Sequence, residues 1–141
     1  MQVSPYEIAL ISGGFTILGA LLGCIITYRF ALHLATVNAR RDAGRRLREA
    51  FSSELATLHP VTGSMDVDVE KLLQSSWPKH HAAVSEFAFQ LPQEQRPSFE
   101  KVWREYYEVG GSIRFFDYYM GDNPRQKFQE RVNAILKFTQ I

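Results

Sequence analysis

The residues with the most obvious chemistry are the adjacent histidines, His80 and His81. Neighbouring residues on a helix point about 100° apart, so the two rings are poorly placed to share one metal ion. No third ligand stands at the spacing of a known zinc motif. We therefore interpret the pair as lining the start of a helix, with one ring packed beside Trp77, and predict no metal site.

Nucleophilic catalysis needs a serine or cysteine beside a base, and no such arrangement is visible. The only cysteine, Cys24, lies inside an apolar run where a thiolate is costly, and it has no second cysteine to pair with. The chain has no G-x-S-x-G motif, and neither Gly13-Gly14 nor Gly110-Gly111 forms a phosphate-cradling loop. We predict no catalytic residue and no cofactor, and therefore a protein that is not an enzyme.

The clearest single feature is the uncharged run of 21 residues from Ile8 to Tyr28, which is bounded by Glu7 and Arg29. As a helix this run is about 30 Å long, the thickness of a hydrocarbon core. A signal peptide has a shorter apolar core and a basic N-terminal region. Residues 1–7 contain no lysine or arginine, so we predict a transmembrane helix over 8–28.

Arginine is distributed unequally about this run. None precedes it, and six follow between Arg29 and Arg48. The positive-inside rule then places residues 1–7 outside and the rest of the chain in the cytoplasm. We expect the bacterial inner membrane as its location. The overall charge of +1 gives no indication of nucleic-acid binding.

Small side chains form neighbouring rows along one face of the predicted transmembrane helix. Close approach of two helices in lipid requires such residues, and Gly19 and Gly23 form a GxxxG pair. We predict self-association through this face. The predicted interface residues are Ser12, Thr16, Gly19, Ala20, Gly23 and Thr27.

After the membrane run we expect an all-α chain. Apolar residues at alternating spacings of three and four predict a juxtamembrane helical stem over 29–58, which could pair as a coiled coil, although Arg41, Gly44 and Arg48 interrupt the seam. Residues 59–68 contain Pro, Gly, Ser and Asp and read as a loop. The cytoplasmic helical domain is then predicted over 69–141.

Four helices are expected in that domain. A short one over 69–75 precedes a second that begins near Pro78, and a third covers about 97–109. The last begins at Asp122 as N-cap, with Pro124 in its first turn. The pattern of residues 112–121 fits a strand, an irregular loop or a helical turn equally well.

The stretch WPKHHAAVSEFAFQLPQEQRPSFEKVWREYY, followed later by VNAILKFTQ, carries a further signal. It resembles a group of small bacterial proteins of unknown function with an FPKH…F…L…R..F…W.EY pattern and a closing apolar helix, sometimes behind a membrane span. The resemblance covers Trp77–Tyr107 and the last ten residues. It implies a bacterial origin and an intact helical domain, and no activity.

The second half of the chain is rich in aromatic residues, which suit either a small core or a surface for a partner. Phe99, Trp103 and Tyr106 recur at helical spacing and are predicted in the core. The candidate partner surface is Phe115, Phe116, Tyr118, Tyr119 and Met120. Two functions stay open: a membrane-anchored adaptor, sensor or regulator that binds an unknown cytoplasmic protein, and an oligomer that acts on the bilayer through its membrane helix.

Overall fold

The computed structural model describes residues 5–64, 66–108, 119 and 121–140 of the chain. In this part there are α-helices and no strand, which confirms the all-α prediction. The helices are α1 (Pro5–Thr57), α2 (Val69–Gln90), α3 (Arg96–Tyr107) and α4 (Pro124–Leu136), and α4 runs into a 3-10 turn (Lys137–Thr139).

The chain divides into two compact units, and α1 contributes to both. The first unit, Met1–Asn38, contains the apolar part of α1. All described side chains from 13 to 36 are exposed, among them large apolar ones such as Phe15, Leu22 and Ile26. Exposed apolar surface on this scale is unfavourable in water. Among the described residues, one helix is therefore long and apolar enough to cross a membrane.

The second unit, Ala39–Ile141, is a helical bundle that uses the C-terminal part of α1 as one of its helices. Its core is built from apolar residues at helical spacing on the four helices of the described part, because each helix has one apolar face that it must cover. The fully buried members are Leu47, Phe51, Leu58, Leu73, Phe87, Phe99, Tyr106, Phe128, Val132 and Ile135.

This arrangement corrects the predicted division into a stem over 29–58 and a separate domain over 69–141. The seam in the predicted stem is covered by the chain's own helices: Phe51 contacts the rings of His80 and Tyr106, from α2 and α3. The same spacing of three and four suits a coiled coil and a bundle helix, because both bury one stripe of a helix. The compact unit starts at Ala39, well before the predicted loop.

The predicted break at Pro78 is also wrong, since α2 continues through it. Asp68 caps α2 by accepting from the backbone N–H of Lys71. A proline inside a helix removes one backbone hydrogen bond, which disfavours the helix locally. Leu73 and His80 lie on either side of Pro78 and are both buried in the core, and this packing holds the two halves of α2 in one helix.

Two connections follow the predictions closely. The loop between α1 and α2 lies where residues 59–68 predicted it, and a Cβ on Gly63 would overlap the carbonyl of Thr57. The N-cap of α4 is Asn123, one residue after the predicted Asp122, with Pro124 in the first turn as expected. Asn123 has a φ of 57°, a left-handed conformation that asparagine adopts more readily than most residues.

Candidate functional site

The most unusual side chain in the second unit is Glu54, a carboxylate on the buried face of α1 that is only 4% exposed. Lys79 Nζ donates to both of its oxygens, at 2.8 and 3.0 Å. The hydroxyls of Ser76 and Ser53 donate to it at 2.7 and 2.8 Å. Because every one of these donors stabilises the charged form, the carboxylate is held as an anion inside the bundle.

The pKa of Glu54 reflects two opposing effects. Burial raises it, since a charged carboxylate is poorly solvated in the core. The hydrogen bonds from Lys79, Ser76 and Ser53 act in the opposite direction and outweigh burial, so that the pKa of Glu54 is lowered to about 2. Glu54 is therefore ionised in the folded protein throughout the physiological pH range.

His80 continues this network into the core. Its ring is fully buried and stacks on Phe51, with 4.1 Å between ring centroids. Nδ1 lies 3.1 Å from the hydroxyl of Tyr106, and Nε2 lies 3.4 Å from Glu54 Oε2. Nε2 has no hydrogen-bond partner among the described residues. Burial lowers the pKa of His80 against the opposing charge of Glu54, so we treat the ring as neutral at pH 7.

Tyr106 ends the network on α3. It is fully buried, and burial raises the pKa of its hydroxyl. Its backbone carbonyl accepts the hydroxyl of Tyr119 at 2.9 Å. A carboxylate, an imidazole and a phenol in a row can transfer protons in enzymes, but one of these groups must then contact the substrate. All three side chains are enclosed by the core, and none lines a described cavity.

The network therefore joins α1, α2 and α3 by polar contacts where a bundle would otherwise have an apolar layer. Glu54 is not among the residues predicted from the sequence to form a site. A signal was present, because Leu47, Phe51, Glu54 and Leu58 continue one stripe of α1 at spacings of four, three and four. A carboxylate inside such a stripe needs a charged or hydrogen-bonding partner, and Lys79 of α2, itself half exposed, provides one.

The other predicted histidine, His81, is on the surface of α2, and its ring contacts that of Trp77 at 5.7 Å between centroids. Trp77 in turn stacks on Trp103 at 5.2 Å. The prediction that one ring of the pair packs beside Trp77 is correct for His81. Among the described residues there is no group of three or more His, Cys, Asp or Glu side chains that could hold a metal ion.

The predicted membrane interface lies on the first unit. The side chains of Thr16, Ala20 and Thr27 are exposed, whereas the side chain of Ser12 is outside the described part. A Cβ built on Gly19 or Gly23 would meet nothing within 4 Å. The face is accessible in this single chain, and its pairing with a second copy stays a prediction.

The prediction that Tyr119 belongs to a partner surface is wrong. Tyr119 is 5% exposed, and its ring contacts Tyr106 and Phe128. Tyr119 is therefore a core residue, and its buried hydroxyl donates a hydrogen bond to a backbone carbonyl inside the bundle. The other four members, Phe115, Phe116, Tyr118 and Met120, lie outside the described residues.

The surface of the second unit, in its described part, includes three open cavities. One of about 350 Å³ is lined by Val102, Ala134, Lys137 and Phe138 of α3, α4 and the 3-10 turn. One of about 450 Å³ follows the outer face of α3. A third, of about 520 Å³, is lined mainly by arginines of α1 and by residues 139–140.

No protein-family model, curated protein or solved structure matches the chain. The resemblance of Trp77–Tyr107 to small bacterial proteins stays a prediction.

Proposed function

We propose that the protein spans the bacterial inner membrane once, through α1, with residues 1–7 outside and the second unit in the cytoplasm. The observation that carries this proposal is the combination of an exposed apolar helical segment with a one-sided distribution of arginine. Exposure of that apolar segment is unfavourable in water and favourable in a bilayer, and the positive-inside rule gives the orientation from the arginines.

Paired reporter fusions after Ile141 test the topology. A fluorescent protein that matures in the cytoplasm should be active there, and a phosphatase that needs the periplasm should be inactive. The mass of the membrane-extracted protein provides the control, because a cleaved signal peptide would shorten the chain. An active phosphatase, or a shortened chain in the soluble fraction, contradicts the proposal.

For the second unit we propose a non-enzymatic role: it binds another protein at the cytoplasmic face of the membrane. The linked acid–base groups of Glu54, His80 and Tyr106 are enclosed in the core, whereas an apolar cavity between α3 and α4 is open. Val102, Ala134 and Phe138 line this cavity, with Lys137 among the lining residues. An apolar side chain of a partner, flanked by an acidic residue, would complement these groups.

A photocrosslinking amino acid at Lys137 tests this role in cells. We expect a defined crosslinked product that disappears with Ala134→Glu, since a carboxylate in the cavity would repel an acidic partner and oppose apolar contact. Position 130 on α4 is the matched control, because Glu130 is exposed and is not part of the cavity lining. Equal crosslinking from both positions, or a product insensitive to Ala134→Glu, argues against the cavity as the contact.

The accessible small-residue face of α1 favours a second role, in which assembled membrane helices perturb the bilayer. Gly19 and Gly23 have open space beside them, as an interface between two helices requires. Residues 1–58 expressed alone separate the two roles. Ion leakage from cells that express this fragment supports the membrane-active role. No ion leakage, together with crosslinking from position 137 in the full chain, supports the interaction role.

A further inference from the structure

The arginines of α1 in the second unit differ in whether they have partners. Arg46 forms an ion pair with Glu86 of α2, and Arg40 donates to the side chain of Gln95 at 2.9 Å. These contacts account for two positive charges as parts of the bundle. They leave three arginines on another face of the helix for which structural partners are weaker or absent.

These three are Arg41, Arg45 and Arg48, spaced by four and three residues so that they share one face of α1. Arg45 lies 3.9 Å from Glu49, a distant pair in which both side chains are about two-thirds exposed. Arg48 makes one long hydrogen bond to the carbonyl of Gly44, at 3.4 Å. Within the described part of the chain, neither Arg41 nor Arg48 has a carboxylate partner.

The three arginines face a common cavity rather than open water alone. Together with Asp42, Thr139 and Gln140 they line the 520 Å³ cavity beside the end of the 3-10 turn. Gly44 lies between the arginines, and a Cβ there would stand 3.4 Å from Thr139 Cβ. A Cβ at Gly44 would thus be in ordinary van der Waals contact with Thr139, which places Thr139 beside α1 on the face between the arginines.

The charges of this lining define the ligand. Three guanidinium groups and the carboxylate of Asp42 give a formal net charge of +2. A phosphate monoester carries about −1.5 to −2 at pH 7. Planar guanidinium groups bind two phosphate oxygens at once, and the side-chain amide of Gln140 adds a neutral donor. The hydroxyl of Thr139 already donates to the carbonyl of Leu136, so Thr139 contributes shape rather than a donor.

We propose that this cavity, which we term the arginine pocket (residues 41, 42, 45, 48, 139 and 140), binds a terminal phosphate or diphosphate group. The chemistry is that of a dianionic phosphate held by guanidinium forks. Such a group occurs on soluble phosphorylated molecules and on membrane lipids with a monoester headgroup. The site would make the second unit responsive to phosphorylated ligands, a property beyond the protein-binding role proposed above.

Binding is measured with the full chain in neutral detergent, by calorimetric titration with pyrophosphate at low ionic strength. We expect saturable binding by the wild type, weakened at least about tenfold by Arg41→Gln/Arg48→Gln through the loss of charge-assisted hydrogen bonds. Arg41→Lys/Arg48→Lys keeps the charge without the fork and should show a smaller loss. Tryptophan fluorescence confirms that each variant is folded.

Lys101→Gln/Arg104→Gln is the matched control. It also removes two positive charges from a cavity, but that cavity is additionally lined by three glutamates and should not bind phosphate. Pyrophosphate affinity should therefore equal that of wild type. Absence of saturable binding to both pyrophosphate and lipid overturns the proposal. An equal loss of pyrophosphate affinity in the control and in Arg41→Gln/Arg48→Gln also overturns it, because it indicates only general charge attraction.

Nanodiscs distinguish the two sources of the phosphate. The full chain is reconstituted with phosphatidic acid, a monoester, or with phosphatidylglycerol, a diester of lower charge. If phosphatidic acid protects the arginines of the pocket from an arginine-specific reagent, the ligand is a lipid. If pyrophosphate binds but phosphatidic acid gives no such protection, the ligand is a soluble phosphorylated molecule. Equal protection by both lipids, with no pyrophosphate binding, shows attraction to an anionic surface and refutes a phosphate pocket.

Discussion

Replacing Glu54 by glutamine removes the charge at the centre of the buried network while keeping the shape of the side chain. The pKa of Glu54 is about 2 in the folded protein, compared with an ordinary value of 4.5. That difference corresponds to about 3 kcal/mol of stabilisation at pH 7, from the preference of the fold for the ionised form. Because Lys79 is half exposed and can be rehydrated, we expect Glu54→Gln to lower the free energy of unfolding by about 3 kcal/mol or slightly less.

The pH dependence gives this prediction its sign. A carboxylate whose pKa is depressed on folding stabilises the protein above its unfolded pKa, and this contribution is lost as pH falls toward the folded pKa. Wild type should therefore lose stability steadily between about pH 5 and pH 2. Glu54→Gln lacks this component, so the two free energies of unfolding should converge in acid. Because the pKa of His80 is lowered in the folded protein, both proteins should also lose stability as the pH falls below the ordinary histidine pKa of 6.5.

Urea unfolding of the full chain in detergent measures these free energies. The only two tryptophans, Trp77 and Trp103, both belong to the second unit, so their fluorescence reports on it. Glu49→Gln is the control: it removes the same charge from the same helix, but Glu49 is exposed and its partner is 3.9 Å away. Its effect should stay below about 0.5 kcal/mol. Equal stability of the Glu54→Gln and Glu49→Gln variants at pH 7 would refute the reasoning, as would an unchanged acid slope.

Three further outcomes are expected. Trp103→Ala should lower the free energy of unfolding by about 3–5 kcal/mol, because the ring is buried and its removal leaves a cavity; a melting temperature within a few degrees of wild type, read by circular dichroism, would contradict this. Residues 39–141 should unfold cooperatively in isolation and residues 69–141 should not, since the shorter fragment lacks the α1 face of the core; a cooperative transition in the shorter fragment would restore the predicted boundary. Gly19→Ile and Gly23→Ile should weaken association of residues 5–30 in a membrane two-hybrid assay, and full association by both would exclude that face.

The sequence predicted the last two described helices well because each has a single strong apolar stripe. Phe99, Trp103 and Tyr106 are buried as the spacing indicated, and in α4 Phe128 and Val132, four residues apart, are also buried. These stripes need no knowledge of the partner helix, because any partner that covers them buries the same residues. Local pattern and tertiary structure therefore agree there.

The role of α1 could not be derived in the same way. A stripe interrupted by Gly44 and Arg48 looks like a poor coiled coil as long as the partner is assumed to be a second copy. In the bundle Gly44 is buried beside Thr139, whereas Arg48 is exposed and lines the arginine pocket. The acceptance of Glu54 in the core depends on Lys79 and Ser76, which are distant in sequence. Such long-range pairing is not encoded in the periodicity of one helix.

The contact between Gly44 and Thr139 also has a consequence for biosynthesis. It joins the first helix of the second unit to its last turn, so the bundle is closed only after α4 has been translated. Until then Phe51 and Phe87, which are fully buried in the finished unit, belong to an open assembly with uncovered apolar surface. Nascent chains in this condition are prone to aggregation and are clients of chaperones. The second unit should therefore reach its native state late, after the apolar part of α1 has already left the ribosome.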